Sequence, residues 1–168
     1  MNTPASGHHV VVMGVSGCGK TSIGKLLAPM LGLPYRDGDD MHPQANIEKM
    51  AAGIPLTDED RWPWLRDIGT WLAEQPNGAV VGCSALRRSY RDLIRSLCPG
   101  VAFIHLHGDF DLLLSRINAR KGHFMPASLL QSQFDTLEPL SADEYGVVLD
   151  VVDSPEALAH QAHRWLNQ

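Results

Sequence analysis

Positive charge is scarce in this chain of 168 residues: 14 Lys and Arg stand against 19 Asp and Glu, for a formal net charge of −5. Duplex nucleic acid is bound through clustered excess positive charge, so a general nucleic-acid binder is excluded and any anion must be met in a dedicated pocket. Cysteine is equally sparse. Cys18, Cys83 and Cys98 form no C-x-x-C pair, and their irregular spacing fits neither a disulfide framework nor a zinc site; reduced thiols in a cytoplasmic protein are expected. No apolar run is long enough to cross a bilayer. Met1–Gly7 is polar, lacks the basic start and apolar stretch of a signal peptide, and reads as a flexible tail. Repeats, low-complexity tracts and interdomain linkers are also missing. What is left is one domain spanning 1–168, with 44% hydrophobic residues and a length sufficient to bury a core.

The apolar residues that are present alternate between two patterns. His9–Met13, Ala79–Cys83, Val101–Leu106 and Val147–Val152 are short continuous runs, and Leu33–Arg36 is a weaker one. Between them lie segments of helical spacing: Lys20–Leu31, the stretch after Thr57, the stretch bearing Leu86, Tyr90, Leu93, Ile94 and Leu97, Phe110–Arg120, a shorter helix after Pro126, and one after Ser154-Pro155. Pro29 is expected to kink the first helix, and Pro63 to sit in the first turn of the second. Thr57 through Asp60 reads as a capping box. Continuous apolar strands alternating with helices imply a parallel sheet covered on both faces, an α/β fold.

Gly14-Val15-Ser16-Gly17-Cys18-Gly19-Lys20-Thr21 satisfies G-x-x-x-x-G-K-[ST] at the strand-to-helix junction where a phosphate-binding loop must lie. Glycine lets backbone amides approach phosphate oxygens, and the helix N-terminus adds its unpaired N–H groups. Lys20 would reach the β- and γ-phosphates, and Thr21 would ligate Mg²⁺. No [NT]-K-x-D guanine-reading tetrad occurs, which counts against a GTPase switch.

An acidic group for Mg²⁺ and for an acceptor must then come from elsewhere, and Asp37-Gly38-Asp39-Asp40 offers one at the end of the second strand. Asp37 and Asp39, two apart on an extended segment, would project to the same side. Alone, such a cluster reads as a solvated turn; downstream of a phosphate loop and ahead of His42-Pro43 it reads as a site. Arg116 and Arg120 lie four apart on one helix, an unfavourable spacing unless an anion sits between them. Lys121, Gly122 and His123 follow, so residues of about 121–136 are expected to form a lid. Arg87, Arg88 and Arg91 follow the strand end at Cys83-Ser84-Ala85, where open α/β sheets bind ligands. Cys18, at a helix N-terminus, is either a reactive thiolate or a buried inert thiol.

These residues resemble the bacterial-type gluconokinases, small phosphate-loop kinases related to shikimate and adenylate kinases. The resemblance is carried by Asp37-Gly38-Asp39, His42-Pro43, Asn46-Ile47-Glu48-Lys49-Met50, Pro55-Leu56-Thr57-Asp58 with Asp60-Arg61, Pro63-Trp64-Leu65, Cys83-Ser84-Ala85-Leu86, Tyr90-Arg91-Asp92, Ala119 through Phe124, Gln133-Phe134 and Leu137-Glu138. It implies a three-layer fold with a five-stranded parallel sheet of order 2-3-1-4-5, and phosphorylation of D-gluconate at the 6-hydroxyl by ATP with Mg²⁺. By the same resemblance, Lys20, Asp39 and Arg120 would be catalytic. Gly14, Val15, Ser16, Gly17, Cys18, Gly19, Lys20, Thr21, Ser22, Arg116 and Arg120 would hold the nucleotide. Asp39, His42, Arg61, Ser84, Arg87, Arg91, Lys121 and His123 would line the acceptor site, and Thr21 with Asp37, through water, would serve the metal. Arg61 has a plain alternative, an ion pair with Asp58 or Asp60. Another small anionic acceptor such as shikimate, or a nucleotide-binding regulator without catalysis, are the competing functions, and a homodimer is the oligomer the resemblance allows.

Overall fold

The structure, a computed structural model, describes residues 7–119 and 126–168. All but Gly7 of the tail expected over 1–7, together with Arg120, Lys121 and His123, therefore lies outside the described residues. The strands are β1 (His8–Met13), β2 (Tyr35–Asp37), β3 (Gly78–Gly82), β4 (Ala102–His107) and β5 (Gly146–Asp150), all parallel, in the spatial order 2-3-1-4-5. The helices are α1 (Lys20–Leu31), α2 (Gln44–Ala51), α3 (Asp58–Ala73), α4 (Arg88–Leu97), α5 (Phe110–Ala119), α6 (Ala127–Thr136) and α7 (Pro155–Leu166).

The apolar run of β1 shows why the sheet lies between two helical layers. Side chains alternate across a strand, and Val10 and Val12 enter a core with Ile23, Leu27, Leu113, Leu158 and Ala162, while Val11 and Met13 enter another with Leu65, Ile68, Leu72 and Ile94. Over Val10–Met13 both faces are buried, so that part of β1 needs no polar residue. On one face α1 packs against α7, and on the other α3 packs against α4. Trp64 is buried, Trp62 meets Tyr90 edge-on, and Arg36 lies over Trp71 at 5.7 Å, so these tryptophans are anchors within the chain. No helix among the described residues is long and apolar enough to cross a membrane.

Several boundaries differ from expectation for identifiable reasons. β2 begins at Tyr35, two residues late, because Pro34 has no N–H to give the ladder; its carbonyl still accepts from Val80 N at 2.9 Å. Pro29 falls in the last turn of α1, where left-handed Gly32 ends the helix by donating to Pro29 O at 3.0 Å while Leu33 N–H reaches Ala28 O at 2.9 Å. The Thr57 capping box forms, with Asp60 N–H donating to Thr57 Oγ1 at 3.2 Å and Thr57 N–H to Asp60 Oδ2 at 2.9 Å. Since α3 starts at Asp58, Pro63 lies in its second turn, not its first. Short α2, with Asn46 as its buried residue, carries too little apolar pattern to be read from sequence.

Candidate active site

The loop between β1 and α1 lies at the carboxyl edge of the sheet. Gly14 (φ +145°) donates its N–H to Ser84 O at 3.2 Å, and a Cβ there would lie 2.7 Å from both Cys18 Sγ and Leu106 O. Gly19 (φ +99°) caps α1 in a left-handed conformation that offers no side-chain acceptor, so the first N–H groups of the helix remain open to an anion. Lys20 Nζ folds back over the loop and donates to Gly14 O at 2.9 Å and Val15 O at 3.1 Å. Val15 and Cys18 are buried and present only backbone, whereas Thr21 and Ser22 are exposed. Burial raises the Cys18 thiol pKa more than neighbouring Lys20 lowers it. Of the two readings of this cysteine, the inert buried thiol is the one the structure supports.

Asp37, the last residue of β2, joins the loop to the acidic turn. Its Oδ2 accepts from Thr21 Oγ1 at 3.3 Å and its Oδ1 from the Asp39 N–H at 2.9 Å. Asp39 does not extend the strand, as the two-residue spacing had implied; it lies in a 3-10 turn over Gly38–Met41 that Asp37 caps. The turn is pressed against β3, since a Cβ on Gly38 would sit 2.5 Å from Gly82 O, and Trp64 Nε1 donates to Gly38 O at 2.7 Å. Asp39 keeps an accessible edge, yet protein crowding its carboxylate raises its pKa, and Asp37 adds to this while Lys20 and His42 oppose it.

His42 stacks on Trp64 with ring centroids 4.1 Å apart and planes 16° from parallel. Buried Asn46 uses Nδ2 twice, donating to Asp60 O at 2.9 Å and meeting His42 Nδ1 at 3.2 Å. The carbonyl partner fixes that atom as the amide nitrogen, so His42 Nδ1 is the acceptor and Nε2 carries the proton. Desolvation lowers the His42 pKa; Arg61 acts in the same direction and Asp39 against it. His42 is thus a neutral ring that senses both Asp39 and Arg61.

Arg61, partly exposed on α3, donates from Nη1 to Tyr90 OH at 3.2 Å and to Asp58 Oδ1 at 3.5 Å, and Tyr90 OH donates to Asp58 Oδ1 at 2.6 Å. The Asp58 alternative is realised, at a length that leaves the guanidinium weakly held. Asp60 is taken instead by Lys49 at 2.8 Å.

Arg91 is a correction. It was expected in the acceptor pocket, but it is fully buried and every guanidinium N–H is used: Nε reaches Glu144 Oε1 at 2.7 Å, Nη1 reaches Ala85 O and Leu86 O, and Nη2 reaches Glu138 O and Glu144 Oε2. It holds Ala85, which has φ +46°, an unfavourable angle for a residue with a Cβ. Arg88 is occupied on the surface by Asp143 at 2.8 Å. Ser84, partly exposed after β3, touches the loop through its carbonyl, Arg87 is exposed at the N-cap of α4, and Arg116 is exposed in the last turn of α5. Sequence reasoning passed over Tyr90, Asp58, Trp64, Asn46 and Gln133 as functional residues. All belong to the family-like stretches, but none carries a charge pattern or spacing that marks its partner.

The shikimate kinase family model matches residues 16–144. The thermoresistant gluconokinase of Escherichia coli (strain K12) is 45% identical over 159 residues, covering 92% of this chain and 91% of that protein. The gluconokinase of Gluconobacter oxydans (strain 621H) is 51% identical over 138 residues, covering 80% of this chain and 78% of its own. The crystal structure of a gluconokinase from Sinorhizobium meliloti 1021 superposes with a TM-score of 0.89 at 48% identity, covering 95% of this chain and 91% of that one. A shikimate kinase from Aquifex aeolicus vf5, at 14% identity and a TM-score of 0.64 over 95% of this chain and 96% of that one, shares the fold.

Proposed function

The chain belongs to the gluconokinase family, within the shikimate kinase group, and from that premise we propose that it phosphorylates D-gluconate at the 6-hydroxyl with ATP, releasing 6-phospho-D-gluconate and ADP. The observation that carries the site assignment is the bond pair at Asp37, which ties the donor loop at Thr21 to the acceptor carboxylate Asp39 through one side chain.

The donor residues fit Mg²⁺. Thr21 Oγ1 and Asp37 Oδ2, hard oxygens 3.3 Å apart, suit a small cation that takes few protein ligands and completes its shell with water and phosphate. Among the described residues no group of three or more His, Cys, Asp or Glu could hold a metal by itself, consistent with a cation that arrives with the nucleotide. When bound, Mg²⁺ supplies charge neutralisation at the phosphates and orients them.

The remaining chemistry falls to the chain. Open amides at the start of α1 and the Lys20 ammonium neutralise the β- and γ-phosphates. Arg61 offers a planar fork to the acid's carboxylate, and is released for this by exchanging its long Asp58 contact for the substrate. Neutral His42 donates from Nε2 to an acceptor hydroxyl. Asp39 accepts the 6-hydroxyl proton as the new O–P bond forms and the bond from the γ-phosphorus to the β–γ bridging oxygen breaks, with ADP leaving. Its raised pKa makes it a better base than an exposed aspartate.

The test is the product. ATP and gluconate incubated with the protein are expected to give one phosphomonoester signal by ³¹P NMR, coupled to the C6 protons. A phosphate on any other carbon, or none, contradicts the reading. Arg61→Lys is expected to raise the KM for gluconate about tenfold or more, because a point charge replaces the fork, with the KM for ATP unchanged.

A further inference from the structure

We propose that Gln133 on α6 is a positioning residue for the phosphoryl donor, setting the γ-phosphate end of the loop and favouring the triphosphate over the diphosphate. The inference rests on ATP being the donor.

The Gln133 side chain makes two hydrogen bonds to one residue 117 positions away: the Ser16 N–H donates to Oε1 at 2.7 Å, and Nε2 donates to Ser16 Oγ at 2.9 Å. An N–H must meet an acceptor, so the amide's orientation is fixed. The end of the loop it grips follows from Lys20. The ammonium that serves the β- and γ-phosphates lies against Gly14 O and Val15 O, immediately before Ser16, whereas the opposite end of the loop runs into α1. Ser16 therefore borders the γ end.

The grip is rigid. Leu130, three residues earlier on α6, is fully buried, and Phe134, one residue later, packs on Phe110 of α5 with centroids 5.8 Å apart. The next loop residue is clamped from α5, where a Cβ on Gly17 would lie 2.5 Å from Ile117 Cγ1 and 3.3 Å from Leu113 O. Ser16 and Gly17 are thus registered against two helices at once. The residue type matters as well. A carboxamide satisfies the Ser16 amide without placing negative charge beside a phosphate, and it leaves one Nε2 hydrogen for an anionic oxygen. ADP has no oxygen at that end.

Two variants separate positioning of the phosphate from simple bracing of the loop. Gln133→Glu keeps an acceptor for the Ser16 N–H and lets the Ser16 hydroxyl donate to it, so the brace survives while a negative charge appears. Its affinity for a non-hydrolysable ATP analogue, measured by calorimetry, is expected to fall about tenfold more than its affinity for ADP, a differential of about 1.4 kcal/mol. Gln133→Leu removes both bonds at similar volume, and its kcat is expected to fall about tenfold with the KM for gluconate unchanged. Equal changes for both nucleotides in Gln133→Glu, or unaltered kcat in Gln133→Leu, would overturn the proposal. Calorimetric binding is read without turnover, so failure of the ATP–gluconate reading would show separately, as a wild-type protein inactive with gluconate.

Discussion

Asp39 is held where its charged form is unfavourable. Desolvation and Asp37 raise its pKa, so the folded protein binds that proton more tightly than the unfolded chain does. Stability from this group therefore falls as pH rises through the ordinary carboxylate value, and at neutral pH the ionised side chain is a net cost. Asp39→Asn is expected to leave the melting temperature the same or slightly higher while lowering kcat by about 10²–10⁴-fold, the usual worth of a general base. A lower melting temperature with near-normal kcat would contradict both halves. Gly24 makes a different demand on space: a Cβ there would lie 2.2 Å from Tyr35 Cε1. Gly24→Ala should cost about 1–3 kcal/mol by overpacking in urea titration.

Among the elements, the turn from β3 into α4 is supported by one buried ion pair rather than by its own sequence. Arg91 satisfies Ala85 O, Leu86 O, Glu138 O and Glu144 together, so Arg91→Met leaves three backbone carbonyls without this donor and Glu144 with only Arg95 and the Ser141 amide, and is expected to cost about 3–5 kcal/mol of stability. Arg87→Ala, at an exposed N-cap, should leave stability within about 0.5 kcal/mol and alter only the kinetics with gluconate. This contrast marks what sequence could tell. The phosphate loop is legible because all its requirements lie within eight adjacent residues, and β1 is legible because both faces of the sheet demand the same apolar type. An arginine after a strand end looks the same whether it faces a ligand or, as Arg91 does, Glu144 53 positions away. Gln133 and Ser16 are farther apart still. Asp39 sits beside Asp37 in a 3-10 turn and not on the extended segment its spacing predicts, because spacing alone cannot distinguish an extended segment from a 3-10 turn capped by Asp37.

At the scale of the molecule, a net charge of −5 is compatible with the anion binding proposed for the loop and Arg61, because the field that matters there is local. The same charges set the acid response. Desolvation takes buried His105 from its ordinary 6.5 to about 4, with His107, Arg91 and Lys20 acting in the same direction. The Lys49 hydrogen bond takes Asp60 from 3.8 to about 2. Burial raises Glu144, but bonds from Arg91, the Ser141 amide and Arg95 outweigh it and bring it from 4.5 to about 2. In each case the unfolded chain binds the proton more readily, so stability falls as pH falls. His105 acts between about 6.5 and 4, and the carboxylates between about 4.5 and 2. Urea midpoints should decline in both windows, and His105→Leu should lessen the decline in the upper one, where His42 also acts, without changing the lower.

The family assignment, the loop and the acidic turn converge on one reaction, and steady-state ADP release tests it most directly. With ATP and Mg²⁺ present, the wild-type protein is expected to release ADP rapidly with gluconate and only at background with shikimate or without acceptor, and Asp39→Asn should reduce the gluconate-dependent rate to near background. Comparable release with shikimate, release independent of any acceptor, or an Asp39→Asn protein as fast as wild type would contradict the account.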